Sequence, residues 1–211
     1  VLNNAKIILE SVDGNPIDMR ALASNYTLFE GAGTLETRGD GDFMMYHNSA
    51  APYWTITMSH DDGGEIIWNH KGKTIFSGRG RWLMGSDNIL PYGAHNGPVV
   101  LYNTTNPTDP TTIDLNGKTV TVNGLLKDGN NATNAGRNSI TNSSETVATL
   151  RLNVASDTNL NEVLTANFAP DAVSRINVQK IGVGALTVDW NGLPAVHRFE
   201  VAEGMLVAKN T

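Results

Sequence analysis

The densest group of ionisable residues is His60-Asp61-Asp62, followed closely by Glu65. Two carboxylates held together can share a proton and carry out acid–base hydrolysis, as in aspartic peptidases and many glycosidases. Adjacent strand residues point to opposite faces, so Asp61 and Asp62 need turn geometry or a distant partner to cooperate. They are the candidate catalytic residues of an aspartic-type protease or another carboxylate-dependent hydrolase. A solvated Asp-Asp-Gly-Gly turn is the alternative interpretation.

Aromatic residues of the first half are a second chemical signal. An aromatic plane can stack on the C–H face of a sugar ring, and it can equally fill a hydrophobic core. Core packing is therefore the alternative role for each of these side chains. The candidate ligand-binding residues are Trp54, Trp68, Trp82 and Tyr92.

Other kinds of site lack a supporting pattern. Cysteine is absent, which excludes disulfides, thiolate metal sites and cysteine nucleophiles. No nucleotide-binding glycine loop is present, and the sequence predicts no cofactor. The histidines show no metal-binding spacing, so no metal site is predicted either. They are His47, His60, His70, His95 and His197.

The charge balance restricts the partners. The net charge is −6, the isoelectric point is about 5.3, and the 15 basic residues are scattered along the chain. Nucleic-acid binding needs clustered Lys and Arg, so no nucleic-acid partner is expected. No apolar run approaches the roughly 20 residues of a membrane helix, and no membrane insertion of this region is expected. The sequence carries no signal for an oligomeric state.

Short strands separated by turns are predicted along most of the chain. Gly64, Gly72 and Gly80 recur every eight residues, a spacing that suits hairpins or the faces of a solenoid coil. Asn116-Gly117 lies between two β-rich runs and predicts a hairpin. Residues 17–23 have helical propensity over too short a stretch, and residues 161–166 are expected to form one helical turn. The proline-rich residues 86–110 predict a long loop or a boundary between halves.

The last stretch of the chain follows a recognisable pattern. Residues 180–188 read K-I-G-V-G-A-L-T-V, and residues 203–207 read E-G-M-L-V after a polar turn. This resembles the autotransporter-associated β-strand repeat of bacterial surface proteins, in which a K-x-G-x-G-x-L strand precedes an x-x-G-x-L strand. The resemblance covers residues 112–210 and is poor in the first half. The matching residues are Lys180, Gly182, Gly184, Leu186, Gly204 and Leu206.

The resemblance implies a right-handed parallel β-helix that is exported and either displayed at, or released from, a Gram-negative outer membrane. The residues themselves agree, because stacked coils need short apolar strands and turn residues that accept positive φ. An antiparallel β-sandwich is the alternative fold. A single all-β domain over 1–211 is expected, with a division into an irregular region 1–105 and a repeat-like region 106–211 left open.

Two functions remain open at this point. The first is adhesion through contact with host glycoproteins or glycans of the mucin type, without catalysis. The second is a secreted hydrolase that acts on such glycoproteins through Asp61 and Asp62. A spacer within a longer surface protein is a third interpretation, supported by the repeats alone.

Overall fold

The computed structural model describes residues 5–21, 26–28, 32–47, 55–59, 63–78, 80–102, 110–128, 138–189 and 194–209. Strands make up 56% of these described residues and helices 4%, and the parallel sheets form a β-solenoid of about five turns. The prediction of an all-β, solenoid-like fold is therefore confirmed.

The strands are short, mostly of three to six residues. The first ten are β1 (Lys6–Ser11), β2 (Ile17–Ala21), β3 (Tyr26–Leu28), β4 (Thr34–Gly39), β5 (Phe43–His47), β6 (Thr55–Met58), β7 (Glu65–His70), β8 (Thr74–Gly78), β9 (Gly80–Met84) and β10 (Val99–Tyr102). The next four are β11 (Thr111–Asp114), β12 (Thr119–Val122), β13 (Leu125–Asp128) and β14 (Ser139–Thr141).

The remaining elements include the two short helical segments of the described chain. The strands are β15 (Ala148–Asn153), β16 (Thr158–Asn159), β17 (Asn167–Phe168), β18 (Ile176–Ile181), β19 (Ala185–Asp189), β20 (Arg198–Val201) and β21 (Met205–Lys209). The helical segments are α1 (Leu160–Val163) and a 3-10 turn (Val173–Arg175).

Every strand pairing in the described residues is parallel. The sheets have the strand orders β1-β4-β7, β2-β5-β8-β10-β13, β3-β6-β9-β11-β14-β17, β12-β15-β18-β20 and β16-β19-β21. The antiparallel sandwich proposed as the alternative fold is therefore wrong. Two of the sheets run without interruption from strands before residue 105 to strands after it, since β10 pairs with both β8 and β13, and β11 with both β9 and β14.

One coil takes up to about thirty residues. Lys6 lies opposite Thr34, which is 28 residues further along, and Thr34 lies opposite Glu65, which is 31 residues further. The eight-residue recurrence of Gly64, Gly72 and Gly80 is shorter than this repeat. It separates β7, β8 and β9, which belong to three different sheets and thus form successive faces of one coil.

The core fills the inside of the coils. Alternate residues of each strand point inward, and these positions carry large apolar side chains. In the second sheet, Met45, Phe76 and Leu101 occupy equivalent positions and are at most 1% exposed. Phe76 makes an edge-on contact with Trp82, with ring centroids 4.9 Å apart. Burial of this kind supplies most of the stability of stacked coils.

The predicted hairpin at Asn116-Gly117 is wrong. Asn116 and Gly117 adopt the positive φ angles, 48° and 72°, that a tight turn requires. The strands on either side do not pair with each other, because β11 pairs with β9 and β14, and β12 pairs with β15. The same turn conformation therefore makes a corner between two faces of the coil.

Three other local expectations have different outcomes. The stretch 17–23 contains strand β2, because its inward side chains pack into the second sheet. The helical turn expected at 161–166 occurs one residue earlier as α1. The proline-rich residues 86–110 contain β10, and Ile89 and Leu90 are 1% exposed. Ile89 accepts a hydrogen bond from Trp68, so this stretch packs onto the first sheet.

Candidate functional site

The predicted catalytic residues Asp61 and Asp62, with their neighbour His60, lie outside the described residues, so their catalytic role stays a prediction. Glu65 is described and begins β7 with an exposed side chain. Within the described part of the chain, no group of three or more His, Asp or Glu residues is placed to hold a metal ion.

The four candidate ligand-binding aromatics are not brought together. Trp54 lies outside the described residues. Trp82 is 1% exposed, so its ring packs in the core. Trp68 also points inward, where its ring meets Phe43 edge-on. Tyr92 is 45% exposed. Of the three described residues, Tyr92 alone presents its ring broadly to solvent.

A different set of side chains meets on the outer surface of the second sheet. Because inward and outward positions alternate, the residues beside the buried Phe43, Phe76 and Leu101 point away from the core. One outward row is mostly apolar and the other contains two tyrosines, and together they define the outer platform. The mostly apolar row is Asp18, Met44, Ile75, Val100 and Leu126, and the tyrosine row contains Tyr46, Ser77, Tyr102 and Asp128.

The two tyrosines of the outer platform occupy equivalent positions two strands apart. Tyr46 lies opposite Ser77, and Ser77 lies opposite Tyr102. Both tyrosines are half-buried, whereas Ser77 is 1% exposed. Neighbouring strands are about 4.8 Å apart, so the tyrosine Cα atoms lie roughly 9.6 Å apart. Between them Ser77 is covered, and Val100 in the other row is 3% exposed.

The outer platform has a signal in the sequence that is separate from any catalytic motif. Residues 43–46 read F-M-M-Y and residues 99–102 read V-V-L-Y. Both are continuous apolar runs that end in tyrosine, whereas a strand with one solvated face alternates apolar and polar residues. Such runs indicate that both faces of a strand have apolar contacts. The missing information was the register that places Tyr46 and Tyr102 in one row.

Buried ionisable groups of the described chain are tied to their own neighbours. His70 is fully buried, and its two ring nitrogens each lie 2.8 Å from a threonine hydroxyl, those of Thr37 and Thr74. Burial lowers the pKa of His70 to about 4, against a weaker opposing effect of Asp42. The ring is therefore neutral at pH 7, and its contacts join β7 to β4 in the preceding coil and to β8, the next strand of the chain.

A second group surrounds Glu36 on the outer surface of the first sheet. Its carboxylate lies 2.5 Å from Arg38 Nε and 2.5 Å from Lys6 Nζ, and it accepts a hydrogen bond from Asn69. The hydrogen bond from Arg38, with that from Lys6, lowers the pKa of Glu36 to about 2. A carboxylate held in its ionised form in this way is unsuited to act as a general acid.

The fully buried carboxylate of Asp114 forms an ion pair with Arg81. Its Oδ1 atom accepts backbone hydrogen bonds from Asn116 at 2.9 Å and from Ser143 at 3.0 Å. Ser143 lies one coil beyond Asp114. The Asp114 side chain therefore connects two consecutive corners of the solenoid through hydrogen bonds.

The residues of the repeat-like pattern form a corner of the solenoid. Lys180 is fully buried, and its ammonium donates to the backbone carbonyls of Ile181, Gly182 and Glu203. A Cβ at Gly204 would lie 2.5 Å from the carbonyl oxygen of Gly182. Lysine thus supplies the donors for stacked turns, and glycine permits their close approach.

The leucines of the same pattern stack on each other. Leu186 in β19 lies opposite Leu206 in β21. Leu186 is fully buried, and Leu206 is partly buried against the same core. The alternation in the pattern therefore reflects inward leucines that follow glycine corners.

A polar cleft of about 460 Å³ lies beside α1. Its carboxylate Glu162 accepts hydrogen bonds from the side chains of Thr158 and Asn159, which lower its pKa. These bonds fix the start of the short helix, so Glu162 already has a structural role. The cleft is lined by Asn159, Leu160, Asn161, Glu162, Leu164, Thr187, Asp189 and Lys209.

The sequence matches no protein-family model, and neither curated proteins nor solved structures give a match. Across the described residues, none of the helices has the length and apolar character needed to span a membrane.

Proposed function

We propose that this chain is a secreted or surface-displayed part of a Gram-negative bacterial protein, and that it binds host glycoproteins of the mucin type without cleaving them. The observation that carries this proposal is the outer platform, where Tyr46 and Tyr102 occupy one outward row of the parallel second sheet. Half-buried tyrosines on a rigid surface suit sugar rings, since the ring supplies an apolar plane and the hydroxyl a polar edge.

Export is supported by two features. The chain contains no cysteine, which is common among bacterial proteins that cross membranes before they fold. The pattern around Lys180, Gly182 and Gly204 forms a stacked corner, as expected for repeats of surface proteins. A stacked solenoid also presents long faces to solvent, and such faces suit contact with an extended partner.

Binding without cleavage is supported by the state of the ionisable groups in the described residues. Glu36, His70 and Lys180 have shifted pKa values, which often mark catalytic groups. Each of them is held by hydrogen bonds to neighbouring strands or turns of the same chain. These bonds give all three a structural role. The hydrolase alternative depends on Asp61 and Asp62.

The test is incubation of the purified chain with a mucin-type glycoprotein from about pH 4 to pH 8, since acid–base catalysis is pH-dependent. Pull-down measures binding, and electrophoresis with mass spectrometry measures cleavage. Capture of intact glycoprotein is expected. Discrete fragments that disappear in an Asp62→Asn variant would contradict the proposal and support the hydrolase. Neither capture nor cleavage would also contradict it, and would favour the spacer.

A further inference from the structure

We infer that the polar cleft beside α1 binds a neutral sugar with adjacent hydroxyl groups, and that it disfavours acidic sugars. The inference rests on the proposed function, because it names a further contact for the same glycoprotein and the class of sugar that this contact selects. It follows from the position of the cleft, from the polar groups on its two walls and from its charge.

The cleft adjoins the end of the outer platform. Leu125 of β13, the last strand of the second sheet, lies opposite Leu164, which lines the cleft. Thr165 also donates its backbone N–H to the carbonyl of Leu125 at 3.1 Å. A glycan of a glycoprotein that is held at the platform can therefore extend into the adjoining cleft.

Two walls of different origin form the cleft. One wall is the outer surface of the fifth sheet, where Thr187 and Asp189 of β19 alternate with the buried Leu186 and Val188. The other wall is α1, which begins directly after β16 and lies beside that surface. The cleft volume of about 460 Å³ falls within the roughly 300–1,000 Å³ of small-molecule sites, so it can accept a sugar ring.

Glu162 gives the cleft a fixed pair of acceptors. Its carboxylate accepts hydrogen bonds from the side chains of Thr158 and Asn159, which lower its pKa and hold it in place. An ionised carboxylate has about four acceptor positions, so positions remain for a ligand. Two adjacent hydroxyls of a sugar can donate to its two oxygens together, and hydrogen bonds to an ionised acceptor are strong.

The other lining groups supply donors as well as acceptors. Asn161 carries an amide, Thr187 a hydroxyl and Lys209 an ammonium. The hydroxyl groups and ring oxygen of a sugar therefore meet partners of both kinds. An apolar ligand would leave these groups without hydrogen-bond partners, which is unfavourable.

The charge of the cleft selects against acidic sugars. Glu162 and Asp189 contribute two carboxylates, and Lys209 contributes one ammonium. Lys209 lies opposite Asp189 on the neighbouring strand, so the carboxylate of Asp189 offsets its charge. The carboxylate of an acidic sugar would approach Glu162 and be repelled, and the net charge of −6 on the whole chain adds to this effect.

The experiment is NMR titration of the full chain with two trisaccharides, which carry either galactose or sialic acid on the same N-acetyllactosamine core. We expect the neutral trisaccharide to bind with a Kd of about 1 mM, and about fivefold more tightly than the acidic one. Thr187→Val removes a hydroxyl and keeps the shape, so it should weaken this binding about fivefold. Asp189→Asn should weaken it about tenfold and reduce the preference for the neutral sugar, because the charge of Lys209 is then no longer offset.

Thr149→Val and Asp171→Asn are the matched controls, since Thr149 lies on the fourth sheet and Asp171 is exposed outside the cleft. Both should leave binding unaltered. Asp189 is tested rather than Glu162 because Glu162 also holds the start of α1. Circular dichroism checks that each variant is folded.

Three results would overturn the inference: no binding of the neutral trisaccharide, equal or tighter binding of the acidic one, or unchanged binding in both Thr187→Val and Asp189→Asn. If mucin capture persists in any of those cases, the proposed function stands and only the cleft assignment fails. Trisaccharide binding without mucin capture would support the inference and reject the proposed glycoprotein partner.

Discussion

The ammonium of Lys180 donates a hydrogen bond of 2.8 Å to the backbone carbonyl of Glu203, which belongs to the next turn of the stack. The same ammonium serves the carbonyls of Ile181 and Gly182. One fully buried cation therefore satisfies acceptors from two successive turns. Burial lowers the pKa of Lys180.

Lys180→Met should destabilise the protein, because it leaves those carbonyls without the donor that Lys180 supplies while keeping a similar side-chain length. We expect the free energy of unfolding to fall by about 2–3 kcal/mol, as for other hydrogen bonds to charged groups. Chemical denaturation measures the change. Lys73→Met is the control, since the Lys73 side chain is exposed. Equal losses in the two variants would show that the buried ammonium has no special role.

The glycine corners predict a difference between two alanine variants. A Cβ at Gly97 would lie 2.5 Å from the carbonyl oxygen of Gly72 in the preceding turn, and backbone cannot move aside cheaply. Gly97→Ala should therefore lower the free energy of unfolding by about 3 kcal/mol. Gly14 has a φ of 71° but open space around its Cβ position, so Gly14→Ala should lower it by about 1 kcal/mol. Denaturation curves compare the two variants, and the reverse order would contradict the close stacking.

His70 predicts a loss of stability in acid. Its pKa is about 4 in the folded chain and 6.5 as a free side chain, so the unfolded chain binds the proton first as pH falls. The stability that the neutral His70 ring gives to the folded chain is therefore fully present above pH 6.5. It is lost as pH falls towards 4. The loss amounts to about 3 kcal/mol.

The test is to measure the free energy of unfolding of the native chain and of His70→Gln across this pH range. The unfolding free energy of His70→Gln should depend less steeply on pH than that of the native chain. His95→Gln is the control, because His95 is exposed. An unchanged slope in His70→Gln would assign the acid sensitivity to other groups.

The buried side-chain amide of Asn138 should make a large contribution to the free energy of unfolding. Its Oδ1 atom accepts the backbone N–H of Thr111 at 3.1 Å, and its Nδ2 atom donates to the carbonyl of Leu101 at 3.0 Å. Asn138→Ala leaves both groups unpaired at a fully buried site, so the free energy of unfolding should fall by about 2 kcal/mol. Asn161→Ala, at an exposed site on α1, should change it by less than about 0.5 kcal/mol. Thermal and chemical denaturation measure both, and similar losses would contradict the role of the amide.

The fold class was predictable because its signals are local. Short apolar runs, glycine corners and the pattern around Lys180 all follow from the needs of stacked coils, and the structure contains them. The hairpin at Asn116-Gly117 was predicted wrongly because a tight turn fixes local φ angles but not the partner of each strand. That partner lies about one coil away in sequence, beyond the reach of a local pattern.

The candidate site was less predictable for the same reason. Residue type alone makes Trp68 and Trp82 candidates for ligand binding, whereas their inward direction depends on the register of β7 and β9. Tyr46 and Tyr102 are 56 positions apart in the sequence. They become neighbours in one row only through β8, which pairs with both of their strands.

The parallel ladders determine how the chain would respond to force. Backbone hydrogen bonds parallel to the solenoid axis join each turn to the next. A force applied at the two ends therefore acts first on the outermost turn. A turn such as the 28 residues from Lys6 to Thr34 would release about 95 Å of extended chain. The molecule should therefore lengthen in successive steps under tension. Each step would dissipate mechanical energy while the inner turns stay folded.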